Sequence, residues 1–291
     1  MNEFKQRLVH LHHCRGVSWN IIYALLKKDP QLKELYNHTI LNHISSPTTS
    51  KNILDDLHSH KIRNDILQYE KVNIRSTTIF DPEYPPLLRE TYKPPWVLYS
   101  QGNFQLLNEN KLLAVVGSRV ATYYGKKAIE LLFPPLVQHQ YVIVSGLALG
   151  IDSHAHQTAI KLNGRTIGVI AGGFQHLYPK ENQALAQEMM KSQLVISEYP
   201  PNTRPQKWQF PMRNRIIAGI SRGTLIVEAK KSSGSLITAN FAVHEGREVF
   251  SVPGPIHSTC STGTNELIQQ GAKLVLTAQD IIEELSYSDK R

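Results

Sequence analysis

The 291-residue sequence predicts an α/β protein, a doubly wound and mostly parallel sheet preceded by a small all-α domain. Two observations carry the sheet. Six short, continuously apolar runs follow one another after residue 111, and helix-length stretches separate most of them. A third carries the helical domain: residues 1–70 hold seven of the 13 histidines and only one glycine, Gly16, with apolar residues at helical spacing.

In the first 70 residues the apolar groups are Leu8 and Leu11; Ile21, Ile22, Leu25 and Leu26; Ile53, Leu54 and Leu57; and Ile62, Ile66 and Leu67. Asn and Ser-Pro punctuation between Asn42 and Thr49 divides them, so four or five short helices are expected. Arg15-Gly16-Val17-Ser18 reads as a turn followed by an N-cap serine. Such helix-turn-helix pieces hold DNA backbones in some proteins and serve as packing or protein-contact modules in others; both roles stay open.

Residues 71–110 read as a Pro/Tyr-rich connector leading into the sheet. Asp81-Pro82-Glu83-Tyr84-Pro85-Pro86 and Lys93-Pro94-Pro95-Trp96 cannot be helix interior, and Val97-Leu98-Tyr99 suits a short edge strand. The third unit is expected over 111–288. Its strands are 112–116, 141–144, 166–170, 194–196, 224–227 and 249–252, and unbroken apolar strands are those buried on both faces. Helices are expected near 123–138, 152–162, 181–191, 212–221 and 235–245, with two more over 265–285.

Formal net charge is +8, and a basic protein gathers near polyanions, of which nucleic acid is the commonest in a cell. Cys14 and Cys260 are far apart and lack a CxxC partner, so neither a disulfide framework nor a structural zinc site is expected. The polar N-terminus does not read as a signal peptide and no apolar run approaches the length of a membrane span, so a cytoplasmic protein is expected. No cofactor is expected. His154 and His156, at i,i+2, lie on different faces of a helix and do not read as metal ligands.

Ligands of open α/β sheets sit at the carboxyl ends of the strands. Here those ends carry Gly117-Ser118-Arg119, Ser145-Gly146, Gly172-Gly173 and, further along, Ser233-Gly234-Ser235. Glycine permits close approach, serine adds a hydroxyl, and the helix that follows each turn offers free N–H groups to an anion. Arg119 can grip a phosphate through two parallel hydrogen bonds. Lys180 and Asn182 open a helix after Tyr178-Pro179, and Phe174 and Tyr178 are ring faces for bases or core side chains. Asp152 is placed as a helix N-cap. Arg213, Asn214 and Arg215 stand at a helix start, where cations are unfavourable, so a carboxylate such as Glu198 or Glu228, or a bound phosphate, must compensate them.

The full GxGxxG fingerprint is absent, with no acidic residue placed for a ribose, and neither HExxH, Walker A, GxSxG nor SxxK occurs, so nothing demands catalysis.

In chain order, Val116-Gly117-Ser118-Arg119, Ser145 to Asp152, Tyr178-Pro179-Lys180-Glu181-Asn182, Ser197-Glu198-Tyr199-Pro200, Phe210 to Gly219, Glu228-Ala229, Ser233 to Ala239, Val252-Pro253-Gly254 and Gly263 to Ile268 resemble the DNA-processing protein A family over roughly residues 75–285. The resemblance implies an extended Rossmann-like domain that binds single-stranded DNA without sequence readout, and a homodimer built through it. It also implies a role in natural transformation, in which the protein shields incoming strands and helps load the RecA recombinase. By the same resemblance, Arg119 and Lys180 belong to the DNA groove and the N-terminal module is sterile-alpha-motif-like. Some members carry a C-terminal winged helix; none is expected within these 291 residues. Two other readings compete. One is a nucleotide N-glycosidic hydrolase using Glu198 or Glu228. The other is an adaptor that dimerises through an apolar face at Leu267 and Ile268, beside Gly271.

Overall fold

The structure, a computed structural model, describes residues 2–37, 41 and 43–288. Asn42, where the expected break begins, lies outside them. Four helices are described in the N-terminal segment: α1 (Glu3–His12), α2 (Trp19–Lys28), α3 (Pro47–Leu57) and α4 (His60–Gln68). Their starts follow local chemistry. Asn2 accepts a hydrogen bond from the Lys5 N–H at 2.8 Å, Ser18 caps α2 as its position suggests, and Ser46 caps α3 with Pro47 in the first turn. Leu8, Leu11, Ile22, Leu25, Ile53 and Leu57 are buried together, which is what their spacing requires.

The connector is more than a link. It supplies two strands, β1 (Ile74–Thr78) and β2 (Val97–Gly102), with a single-turn helix α5 (Pro86–Arg89) between them. Val97 to Tyr99 was legible as a strand, but β2 is not the edge expected of it, since it pairs with β1 on one side and β6 on the other; β1, the edge itself, was not legible. Its sequence, Ile-Arg-Ser-Thr-Thr, lacks an apolar alternation, yet Ser76, Thr77 and Thr78 are buried and β-branched threonines suit a pleated strand.

From β3 (Leu112–Val116) strands and helices alternate: α6 (Tyr123–Gln138), β4 (Val142–Ser145), α7 (Ile151–Lys161), β5 (Arg165–Ile170), α8 (Gln183–Ser192), β6 (Leu194–Ser197), α9 (Gln209–Ile220), β7 (Gly223–Ile226), α10 (Gly234–His244), β8 (Glu248–Ser251), α11 (Thr262–Gln269), β9 (Lys273–Leu274) and α12 (Ala278–Ser288). The sheet has nine strands in the order β1-β2-β6-β5-β4-β3-β7-β8-β9. β2 runs antiparallel to both β1 and β6, and the other pairs are parallel.

Each central strand feeds two apolar layers. In β3, Leu113 and Val115 pack with α6, α7 and α12, while Leu112, Ala114 and Val116 face the layer of α9 and α10. That two-residue alternation inside one continuous apolar run makes the sheet doubly wound. The helical segment is not detached: Leu8, Leu11 and Leu57 share one apolar cluster with Val97 and Tyr99 of β2 and with Leu185 and Met189 of α8.

Candidate nucleic-acid interface

The chain order reverses at β3, which has β4 on one side and β7 on the other. Parallel strands end at one border, and the crevice at such a reversal is where ligands of open α/β sheets bind. Gly117 to Arg119 after β3, Gly146 after β4 and Glu228 after β7 meet there. A Cβ on Gly117 would fall 2.7 Å from Ile151 Cγ1 and 3.0 Å from the Glu228 carbonyl.

Arg119 is held by its backbone. Gly150 has φ +79°, a conformation that glycine adopts freely, and a Cβ there would lie 2.3 Å from the Ser118 carbonyl oxygen. The loop therefore passes directly over the Ser118–Arg119 turn, and the Ile151 N–H donates to the Ser118 carbonyl at 3.0 Å. Ser118 Oγ donates to the Val120 carbonyl at 2.9 Å and accepts from its N–H at 3.1 Å, closing the turn. The Arg119 side chain is exposed and forms no ion pair or side-chain hydrogen bond with another described residue.

Several groups read as ligand-facing are committed inside the protein. Ser145 is fully buried and its hydroxyl donates to the Val115 carbonyl at 2.6 Å. Gly172 and Gly173 are buried under the 200–205 segment, and Gly173 N–H donates to the Thr203 carbonyl at 2.8 Å. Phe174 belongs to the core. Asn182 is buried; its amide donates to the Leu147 and Ala148 carbonyls, each at 2.9 Å, and so braces the loop that packs on the Ser118–Arg119 turn. Ser233 caps α10 and shares a 2.7 Å hydrogen bond with the buried Ser235, whereas Gly234 is exposed with open space around it.

Arg213 and Arg215 do not stand at a helix start, because α9 begins at Gln209 and they are its fifth and seventh residues; carboxylates compensate them. Arg213, 5 % exposed, donates to the Gly146 carbonyl and to the Val169 carbonyl at 2.6 Å. A Cβ on Gly146 would fall 2.2 Å from its guanidinium, so only glycine fits. Asp152 supplies the opposing charge. It is not the N-cap of α7, a place taken by Gly150, but accepts from the Gly146 N–H at 3.1 Å. Burial pushes the Arg213 guanidinium down to about 10 and the Asp152 carboxyl up, each partly restored by the other. Arg215 pairs with Glu198 and donates to the Lys93 carbonyl at 3.0 Å. Asn214 is half-buried, its amide 3.3 Å from the Gly234 carbonyl. Glu228 is also committed: it accepts from the Thr122 N–H at 3.0 Å and from the Thr122 hydroxyl, fixing the start of α6. His156 is buried against Thr166, and among the described residues no group of side chains could hold a metal.

Apart from exposed Glu181, the charged side chains that face solvent at this border are cationic, and exposed aromatic rings stand among them. Lys180 is exposed after β5, beside Tyr178, which is 58 % exposed and packs edge-on against Phe210 at 5.6 Å. The loop after β6 adds exposed Arg204, Lys207 and Trp208, the last 62 % exposed, and the loop after β7 adds Lys230 and Lys231. None of Lys180, Arg204, Lys207 or Lys230 forms an ion pair with another described residue; Lys231 lies 3.7 Å from Glu266. Sequence reasoning passed over Arg204, Lys207 and Trp208, although a basic segment with an interleaved aromatic was a usable signal. Leu267 is a core side chain in the α9–α10 layer, and Ile268 is half-buried.

Fold and site together define a Rossmann-like α/β protein with a cationic, aromatic-flanked border at the carboxyl ends of its parallel strands. The family model described as DNA recombination-mediator protein A matches residues 75–286, and the chain belongs to that family. It is 45% identical over 253 residues to the DNA processing protein DprA of Bacillus subtilis, covering 83% of this chain and 85% of that one. It is 44% identical to the DNA processing protein DprA of Streptococcus pneumoniae, covering 80% and 79%. The X-ray structure of DNA processing protein A from Streptococcus pneumoniae superposes with a TM-score of 0.82 at 38% identity over 98% of each chain. A Helicobacter pylori structure, described for its single-stranded DNA binding mode, superposes with a TM-score of 0.66 at 31% identity, covering 74% of this chain and 97% of that one. Among the described residues no helix is long and apolar enough to cross a membrane.

Proposed function

We propose that this chain binds single-stranded DNA along the strand-end border, as a cytoplasmic, non-enzymatic mediator of natural transformation. One observation carries the reading: Arg119 and Lys180, both exposed and without a carboxylate partner, flank the same border as exposed Tyr178 and Trp208. Guanidinium and ammonium groups neutralise phosphates. Ring faces stack on bases of any identity, so binding proceeds without sequence readout. The Helicobacter pylori relative's described binding mode supports this class of ligand. On this reading the protein shields incoming strands and helps load RecA, acting as a homodimer. Because Leu267 is core, the adaptor contact narrows to half-buried Ile268. The hydrolase alternative loses ground because Glu228 is committed to Thr122 and Glu198 to Arg215.

The test is binding to oligo-dT over a salt series. Arg119→Ala and Lys180→Ala should each weaken it about tenfold, the scale of one charge-assisted contact, and should flatten the salt dependence. Unchanged affinity in both variants would remove the site. Sedimentation of Ile268→Lys as a monomer with an unaltered circular-dichroism spectrum is expected if that residue is at the dimer contact; an intact dimer would remove it.

A further inference from the structure

At one end of the sheet, five strands away from the β3 crevice, the outer edge of β1 opens into a groove. β1 is a terminal strand, paired only with β2. The Ile79 N–H donates to the Trp96 carbonyl at 3.1 Å, so by the alternation of an antiparallel ladder residues 75 and 77 bond to β2, while 74, 76 and 78 turn outward. Two outward N–H groups are already used: Ile74 donates to the Tyr69 carbonyl at 2.8 Å and Thr78 to the Asp81 carboxylate at 2.7 Å. Ser76 keeps an outward N–H and C=O with no partner among the described residues. Its side chain, in a residue only 5 % exposed, has a hydroxyl that also lacks a hydrogen bond. An unpaired buried donor–acceptor set is costly and is ordinarily filled.

Ser76 lines a cavity of about 1000 Å³ between β1 and helices α1 and α4. A second cavity of about 720 Å³ shares Asn73 and Gly102 with it, so the trough is long. Its apolar wall is Ile66, Leu67 and Phe104, and Leu67 is 70 % exposed. Three cations line it, Lys5, Arg63 and Arg75, against one carboxylate, Glu70. Lys5 and Arg75 already pair with Asp81 and Glu83; Arg63, exposed on α4, has no ion pair.

We propose that this groove is a docking site for an extended segment of a partner protein in which apolar residues alternate with carboxylates, added beside β1 as a further strand. Main-chain groups of the segment would exchange two hydrogen bonds with Ser76, its apolar side chains would cover Leu67 and Ile66, and a carboxylate would meet Arg63. The groove lies at the β1 end of the sheet, five strands from the β3 crevice, and is separate from the nucleic-acid border.

The experiment screens the full chain against an array of eight-residue peptides with apolar residues at alternate positions and either Glu or Lys between them. The strongest member, fluorescein-labelled, is then titrated in solution. Glutamate peptides should bind at least tenfold more tightly than their lysine counterparts. Arg63→Glu and Leu67→Asp, both exposed substitutions, should each weaken binding about tenfold and leave oligo-dT affinity unchanged. N-methylation of the peptide residue opposite Ser76 should abolish binding, which tests the strand pairing without altering the protein. Absence of any binding member, no preference for glutamate, indifference to the α4 substitutions or to N-methylation, or displacement of the peptide by oligo-dT would each overturn the proposal.

Discussion

Replacing Arg213 with methionine should destabilise the protein, whereas replacing Arg119 with alanine should leave its stability intact and weaken DNA binding. In sequence each arginine is a candidate phosphate ligand, Arg119 in a strand-end turn and Arg213 in a helix, but their surroundings differ. Arg213 is buried, satisfies the Gly146 and Val169 carbonyls and opposes the charge of Asp152. Removing it leaves a buried carboxylate uncompensated, which costs about 3–5 kcal/mol. At roughly 2–4 °C per kcal/mol for a large domain, the melting temperature should fall by about 6–20 °C. Asp152→Asn added to Arg213→Met should recover part of that loss, because the stranded charge is gone, and the double-mutant cycle should show coupling above about 0.5 kcal/mol. Arg119→Ala removes an exposed, unpaired side chain and should change stability by less than about 0.5 kcal/mol. Thermal unfolding by circular dichroism and oligo-dT binding by anisotropy read both effects. If Arg213→Met melted like the wild type and lost DNA binding as Arg119→Ala does, the assignment of structural and ligand-facing roles would be refuted.

Trp208 offers an optical readout, since Trp96 is buried and Trp19 stacks on it at 5.0 Å. Oligo-dT should quench tryptophan emission in the wild type, and Trp208→Phe should remove most of that quenching; equal quenching in both proteins would place the bases elsewhere. Acid sensitivity should come from histidines. Burial holds His12 and His156 down at about 3 and His13 at about 4, against 6.5 when unfolded. A depressed folded value means that this stability is present above pH 6.5 and lost as pH falls toward the folded values. From pH 8 to pH 5 each histidine should remove about 2 kcal/mol, about 6 kcal/mol together. Denaturant unfolding across that range should show the decline, with about a third of it missing in His156→Gln; a flat profile would contradict the burial of these rings.

The fold was legible where burial dictates composition. A strand covered on both faces is mostly apolar, so β3 through β8 announced themselves despite a buried Ser or Thr in most of them. β1 stayed hidden because three of its four buried positions are Ser76, Thr77 and Thr78, and β9 because two residues carry no period. The candidate border was legible as a place in the fold, its side chains less so. Arg119 and Lys180 stand exposed at the border as their positions suggest. Gly172, Gly173, Ser145 and Asn182 are consumed in joining the loops to one another, and a glycine that packs under a neighbouring loop reads the same in sequence as one that cradles a phosphate. For Arg213 and Arg215 sequence left a carboxylate or a phosphate as the compensating anion. Asp152 and Glu198 supply it, through contacts across more than fifteen positions in the chain that no local pattern encodes.

Photo-crosslinking of iodouracil-substituted single-stranded DNA to the intact protein, with the attached peptides located by mass spectrometry, tests the border most directly. Crosslinks should concentrate at Tyr178, Trp208 and Phe210, with attachment suppressed by the Arg119→Ala, Lys180→Ala double substitution. Crosslinks gathered instead on the N-terminal helices or along β1, unaffected by that substitution, would contradict it.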